Sequence, residues 1–362
     1  MTRLAIDIGG TFTDLVLFDE KSGKLTAFKS LSTPTDPSNG VLSTIKLSKI
    51  NISDVEFFAH GGTTVINAIT ERKGVKTALI TTLGFRDVLE IMRGNRPDMY
   101  NLKAKKPEPF VSRKLRFEVN ERISAEGKKI VPLNLESLDD IIKECKSNKV
   151  EAIAIQFMHS YLFTEHEKEC AKYIKQKFPE VSITLSSDIT REWREFERAN
   201  TAVLNAYVQP IVSRYFENLE KKLSDVGLNC AFTAMQSNGG TTSFNWAKEH
   251  PITLVESGPA AGVNGAVLVG SLCNKNNIIY FDVGGTTTKC ALIEDGKPKV
   301  TTEYKIEYTK FNPGYPIRVP VTDLVEIGAG GGSIAWFDTG GSLKVGPKSA
   351  GADPGPASYN NG

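Results

Sequence analysis

The chain has 362 residues, of which 40% are apolar and 24% charged, with 44 Lys and Arg against 42 Asp and Glu for a formal net charge of +2. The length exceeds what one hydrophobic core usually holds and predicts two domains. The composition is that of a globular protein without a membrane-span window, and both signs of charge are interspersed, so neither a nucleic-acid nor a membrane-surface partner is expected.

The first residues, MTRLAID, run straight into a strand pattern with no apolar leader, so no secretory signal is readable and a cytoplasmic location is expected. Strands at 3–8, 15–19 and 25–29, the last two joined by the polar turn Lys21-Ser22-Gly23-Lys24, predict an antiparallel meander. Further strands at 55–60, 75–82, 150–157 and 181–187 alternate with helices at about 64–73, 85–93, 135–146 and 164–177. This alternation predicts an α/β layered fold. The Pro- and Lys-rich stretch 94–114 reads as an ordered excursion instead of a strand. A long amphipathic helix is expected at about 196–226, with Pro210 marking a kink or break. Glycine-rich turns multiply beyond 236, so the boundary is placed near 185–200, giving units 1–185 and 186–362. Ser257 sits in N-cap range of a helix reaching about 271, and the absence of GxSxG argues against a hydrolase serine there. Cys145, Cys170, Cys230, Cys273 and Cys290 are widely spaced without a CxxC pair and read as reduced, buried thiols.

Two stretches carry the chemistry. IDIGGTFTD (6–14) and FDVGGTTTK (281–289) align without gaps, matching Asp7 with Asp282, Gly9 and Gly10 with Gly284 and Gly285, and Thr11 and Thr13 with Thr286 and Thr288. A single Asp-x-Gly-Gly-Thr is an ordinary hairpin turn; two copies, each between apolar strands, predict related units facing one another. Glycines let the backbone approach a phosphate, successive N–H groups form an anion nest, and threonine hydroxyls add donors. The aspartates repel bare phosphate and make sense with a bridging Mg²⁺, which takes one or two carboxylates together with phosphate oxygens. Neither a Walker A loop nor a Rossmann GxGxxG is present.

Other candidates stay open on residue type alone. His60 ends an apolar strand, where α/β proteins place sites, and a satisfied structural histidine is the alternative. Arg93 and Arg96 are able to clamp a carboxylate or phosphate, or are exposed charges. Glu195, Glu197 and Arg198 open the long helix and read as a solvated face. Gly328–Ser333, containing Gly330, Gly331 and Gly332, follows a strand and either lines a nucleotide with N–H groups or makes a turn.

The paired loops resemble the phosphate loops of the actin, Hsp70 and sugar-kinase superfamily. The chain as a whole is similar to the hydantoinase A/5-oxoprolinase family, through IDIGGTFTD, HGGTTVINAITERKG, ALITTLGFRDVLEIMRGNRPDMYNL, TAVLNAYVQPIVSRY, MQSNGG, SGPAAGVNGA, FDVGGTTTK, IGAGGGSIAW and VGPKSAGADPGPASY. The resemblance implies two related domains around a nucleotide cleft, with ATP and Mg²⁺ as cofactors and phosphorylation of a cyclic-amide carbonyl followed by ring opening. It implies Asp7, Asp282 and His60 as catalytic residues, the two aspartates holding Mg²⁺ with the nucleotide. It further implies phosphate or nucleotide contacts from Gly9, Gly10, Thr11, Thr13, Gly284, Gly285, Thr286, Thr287 and Gly330–Gly332, and substrate contacts from Thr63, Asn67, Arg93 and Arg96. A hydantoinase B-type partner in a hetero-oligomer is also implied. Alternatives are a ketone carboxylase subunit, a sugar-kinase-like phosphotransferase, and a nucleotide-gated reactivase. The chain departs from the family in reading His60-Gly61-Gly62-Thr63-Thr64 where relatives have HGTT, and in stopping at Tyr359-Asn360-Asn361-Gly362, which leaves the second domain incomplete.

Overall fold

The structure is a computed structural model that describes residues 1–9, 12–33, 36–94, 98–285, 287–351 and 354–360. Gly10, Thr11, Arg96 and Thr286 lie outside the described residues.

Strand β1 (Thr2–Ile8) turns Leu4, Ile6 and Ile8 into a core and Arg3, Ala5 and Asp7 to its other face, the period of two that its sequence carries. β2 (Phe12–Asp19) and β3 (Lys24–Leu31) complete the expected meander. Helix α1 (Pro37–Ser48) starts at a proline, and the Asp36 carboxylate caps it by accepting from the Ser38 N–H at 3.1 Å. There follow β4 (Val55–Gly62), α2 (Thr64–Thr70), β5 (Thr77–Thr82), α3 (Val88–Ile91), β6 (Arg116–Val119), α4 (Ser137–Ser147), β7 (Ala152–Gln156), α5 (Glu165–Lys177), β8 (Ser182–Leu185) and α6 (Ser186–Ile189). The chain continues through α7 (Glu195–Asp225), β9 (Phe232–Met235), β10 (Thr241–Ser243), α8 (Phe244–Glu249) and α9 (Ser257–Leu272) to the hairpin of β11 (Ile278–Val283) and β12 (Thr288–Glu294). Residues 98–112 carry neither helix nor strand, as expected of the excursion.

Three sheets organise a mixed α/β fold. The first has the order β10-β9-β4-β1-β2-β3, with β4 parallel to both β1 and β9. The second, β8-β7-β5-β6, is parallel throughout. Every residue of β5 and β7 is buried, which is why their sequences, TALITT and AIAIQ, lack the alternation of a half-exposed strand and carry no charged residue. The third is the β11–β12 hairpin with Val325–Ile327 on the far edge of β12. Helix α9 covers one face of it through Val263, packed with Ala291 and Ile293, while Ile279, Phe281, Val283, Leu292, Val325 and Ile327 stay exposed.

Helix α7 joins two cores. Its first half packs Phe196, Ala199, Ala202 and Val203 with the parallel sheet, and its second half packs Val212, Phe216, Leu219 and Leu223 with the six-stranded one. The helix runs uninterrupted through Pro210 instead of breaking there. Burial on both sides outweighs the one lost backbone hydrogen bond. The first sheet draws β9 and β10 from beyond residue 185, so the division at 185 does not separate the sheets. The expectation of buried thiols holds for Cys145 and Cys170 only; Cys230 and Cys290 are half-buried and Cys273, just past the end of α9, is exposed.

Candidate functional site

The sequence repeat is also a repeat of hydrogen bonds. Gly9 N–H donates to the Phe12 carbonyl at 2.9 Å, and Gly284 N–H donates to the Thr287 carbonyl at 2.9 Å. A Cβ on Gly9 would lie 3.3 Å from the Phe12 oxygen, and one on Gly284 would lie 3.2 Å from the Thr287 oxygen, so both turns are tight enough to favour glycine. Asp7 stands opposite Asp14 across β1 and β2, and Asp282 stands opposite Lys289 across β11 and β12.

Asp7 lies in a narrow place. The backbone of Gly61 at the end of β4 and of Gly258 at the start of α9 come so near that added Cβ atoms would sit 3.0 and 3.2 Å from its Oδ1. Its carboxylate keeps access to solvent, yet the protein around it removes much of the water that would stabilise its charge. That desolvation, with the negative charges of Asp14 and Asp282, pushes its pKa up to about 6, Lys29 opposing. The charge of Asp282 thus reaches Asp7 through space. The Tyr280 phenol is pushed well above its ordinary range by burial and by Asp282. Among the described residues no cluster of three or more His, Cys, Asp or Glu holds a metal by itself. Two repelling carboxylates beside tight glycine turns suit a cation whose remaining ligands are phosphate oxygens and water.

Of the other expected site residues, Thr63 and Asn67 are brought to the first loop. Thr63 N–H donates to the Ile8 carbonyl at 3.1 Å, and Asn67 Nδ2 donates to Thr63 Oγ1 at 3.1 Å. Three expectations need correction. Thr13 points into the body of the protein, fully buried, with its hydroxyl 3.2 Å from Ser32 Oγ; its repeat partner Thr288 likewise donates to the Ala329 carbonyl at 2.6 Å. His60 is 4% exposed on the opposite sheet face from Asp7, bonded through Nε2 to the Tyr215 hydroxyl at 2.9 Å and ringed by Phe216 and Phe244. Burial pushes its pKa down to about 4, so it is a neutral core histidine. The glycine run offers no free N–H groups to a nucleotide. Gly330 donates to Ser333 Oγ at 2.8 Å, Gly331 to the Gly284 carbonyl at 2.9 Å and Gly332 to the Gly285 carbonyl at 2.7 Å, so the run braces the second loop.

Arg93 belongs to a different cleft. It binds Glu197 with two nitrogens, one at 3.0 Å, and reaches Glu195 at 3.4 Å. With Arg194, Lys305 and Arg318 it lines a cleft of about 270 Å³ at the start of α7. Glu197, read from sequence as a solvated acid, is buried; desolvation works against its charge, but Arg93 and then Arg318 hold its pKa below the ordinary carboxylate range. Sequence reasoning also missed Gly61, Gly258, Glu256 and Lys289 around the two aspartates. A signal existed for Lys289, because it replaces Asp14 at the matching position of the repeat.

The family model of the hydantoinase/oxoprolinase N-terminal region matches residues 3–178, and that of hydantoinase/oxoprolinase matches residues 198–362. The chain belongs to the hydantoinase/oxoprolinase family. It is 43% identical to an uncharacterized protein of Methanocaldococcus jannaschii over 99% of this chain and 54% of that one. It is 33% identical to caprolactamase subunit alpha of Pseudomonas jessenii over 99% of this chain and 52% of the relative. The crystal structure of the ATP-dependent caprolactamase from that organism superposes with a TM-score of 0.85 at 32% identity, covering 99% of this chain and 52% of the other. Acetone carboxylase in its nucleotide-free structure gives a TM-score of 0.82 at 26% identity, covering 97% and 51%. The chain thus spans about half the length of these relatives.

Proposed function

We propose that the chain forms the Mg²⁺–nucleotide clamp of an ATP-dependent enzyme that opens a cyclic amide such as 5-oxoproline, a hydantoin or a lactam. The observation that carries this reading is the pair of equivalent turns at Gly9 and Gly284, each closed by the same N–H to carbonyl bond and each behind an aspartate. Each hairpin would open one of two related domains of the kind found in actin, Hsp70 and sugar kinases, with the nucleotide between them. Similarity to an ATP-dependent caprolactamase supports a lactam-type substrate.

An unstrained amide is a poor electrophile, and transfer of the terminal phosphoryl group of ATP to its oxygen turns that oxygen into a leaving group. ADP leaves in that transfer; water then adds to the carbon, the ring C–N bond breaks to give a free amine and an acyl phosphate, and a second water releases phosphate to leave the carboxylate. In such transfers the protein chiefly positions and neutralises. Bound Mg²⁺ would supply charge neutralisation of the phosphates. Asp7 and Asp282 would hold it from opposite sides, and the turns at Gly9 and Gly284 would let phosphate approach the backbone. Thr63 and Asn67, beside Ile8, would border the substrate end of the first loop. The Pseudomonas jessenii relative is named an alpha subunit, which supports action in a hetero-oligomer; the partner in this reading is a B-type subunit. A ketone carboxylase subunit is the second reading, favoured by the superposition on acetone carboxylase.

The test is ATP turnover by the chain, with and without a B-type partner, on 5-oxoproline, hydantoins, lactams, and ketones with bicarbonate. Cyclic amides are expected to stimulate phosphate release, and either Asp7→Ala or Asp282→Ala to reduce it at least a hundredfold while circular dichroism is unchanged. Retention of turnover in both variants refutes the clamp. Stimulation confined to ketones with bicarbonate replaces the first reading by the second.

A further inference from the structure

Three consecutive residues at the head of α9 each touch a different part of the cleft. Glu256 is 3% exposed, and its carboxylate accepts from the Lys289 ammonium through Oε2 and from the Tyr304 hydroxyl through Oε1 at 2.8 Å. Ser257 Oγ donates to the Gly62 carbonyl at 3.0 Å, and Gly62 N–H approaches the same hydroxyl at 3.4 Å. Gly258 abuts Asp7, where a Cβ would stand 3.2 Å from Oδ1.

Lys289 is the link to the second loop. It is the cross-strand neighbour of Asp282 and shares its sheet face. Its ammonium is turned to Glu256, with Glu326 3.8 Å away as a weaker partner. The first repeat is arranged differently. Asp14, at the matching position, pairs with Lys29 at 2.6 Å inside its own meander. The charge reversal between Asp14 and Lys289 therefore gives the second loop a tie to α9 that the first loop lacks. A buried ion pair of this kind adds little net stability, but it defines geometry, since either partner alone is a desolvated charge.

We infer that Glu256 is a positioning residue: through Lys289 it holds the second loop against α9, and residues 256–258 act as the spacer that sets Asp282 relative to Asp7. This rests on the clamp reading above. Glu256 touches neither aspartate, so its loss acts on their separation and not on their identity.

The test is calorimetric binding of ADP, with and without Mg²⁺, to the unaltered chain and to Glu256→Gln, Lys289→Met and the double variant. Glu256→Gln is expected to weaken Mg-ADP at least tenfold while metal-free ADP stays within twofold. Lys289→Met should do the same, and the double variant should be no worse than either single one. Tyr304→Phe keeps the ion pair and removes one donor, and about a threefold loss confined to the Mg²⁺ form is expected. That variant carries the test if Glu256→Gln proves unfolded by circular dichroism. An unchanged Mg²⁺-linked gain in affinity, or equal weakening with and without metal, overturns this inference alone. Absence of nucleotide affinity in the unaltered chain overturns the clamp reading and this inference with it.

Discussion

Asp7 and His60 sit one register apart on paired parallel strands, and the alternation of the pleat sends them to opposite chemistry. His60 pairs with Ile6 and shares its core face, while Asp7 pairs with Gly61 on the opposite face. For His60 the folded pKa of about 4 lies below the ordinary 6.5, so its contribution to stability is full above 6.5 and is lost as the pH falls toward 4. The shift corresponds to about 3 kcal/mol at the acid end. In a His60→Phe variant the acid-side loss of unfolding free energy between pH 6.5 and 4, read from urea unfolding at each pH, should shrink by that amount, and Mg-ADP binding should persist. Asp7 runs the other way. Folding favours its protonated form, so the stability it contributes is present below 3.8 and lost as the pH rises through about 6. Asp7→Asn should therefore gain stability relative to the unaltered chain across that interval, and Mg²⁺-dependent nucleotide binding by the unaltered chain should strengthen as Asp7 ionises near 6. Asp7, Asp282, Gly9 and Gly284 were legible in the sequence because tight turns and charge demand those residue types. The direction of Thr13 was also within reach, since Thr13 and Leu15 lie two apart on one strand and share its buried face.

At the scale of elements, α9 shows how little of a cleft local pattern contains. Its start falls at Ser257 as expected, but not through N-cap chemistry: Glu256 holds the N-cap position without a side-chain cap, and the Ser257 hydroxyl bonds Gly62; the tie from Glu256 to Lys289 joins residues 33 apart and has no periodic signature. Its glycines are spacing devices. A Cβ on Gly262 would collide with the Tyr280 hydroxyl, and one on Gly270 would collide with the Ile278 side chain and crowd the Lys275 carbonyl at 2.6 Å. Gly270→Ala is expected to destabilise the chain by about 1–3 kcal/mol, read from urea or thermal unfolding, because a backbone oxygen stands in the way. Gly262→Ala meets the tip of a side chain instead. It should displace Tyr280, and with it the strand that carries Asp282, lowering Mg-ADP affinity more than melting temperature. The Gly330–Gly332 run was misread for a simple reason: glycine repeats announce close backbone approach, and the partner approached is the second loop's own carbonyls.

The molecule as a whole is built around a long helix and a sheet that closes late in the sequence. Alternating periodicity was enough to give the meander, the parallel strands and the helices between them, because each depends on neighbours two to four residues apart. Strand order was not legible: nothing near residues 232–243 says that they pair beside β4. Nor was the open face of the β11–β12 sheet, where Ile279 is 71%, Phe281 62% and Val283 55% exposed. Contiguous apolar surface of this kind binds hydrophobic dyes and partner surfaces. Phe281→Ser should reduce dye binding with no fall in melting temperature; a fall of several degrees would mean that the face is packed in solution. The late closure has a consequence for synthesis. β4 ends at Gly62 and its second parallel neighbour begins at Phe232, so one edge of the nascent sheet stays unpaired while about 170 residues are added. At ribosomal rates that wait is on the order of ten seconds or more. During it, chains stalled before residue 232 should be protease-sensitive across β4 and should bind holdase chaperones, while chains released past 243 should not.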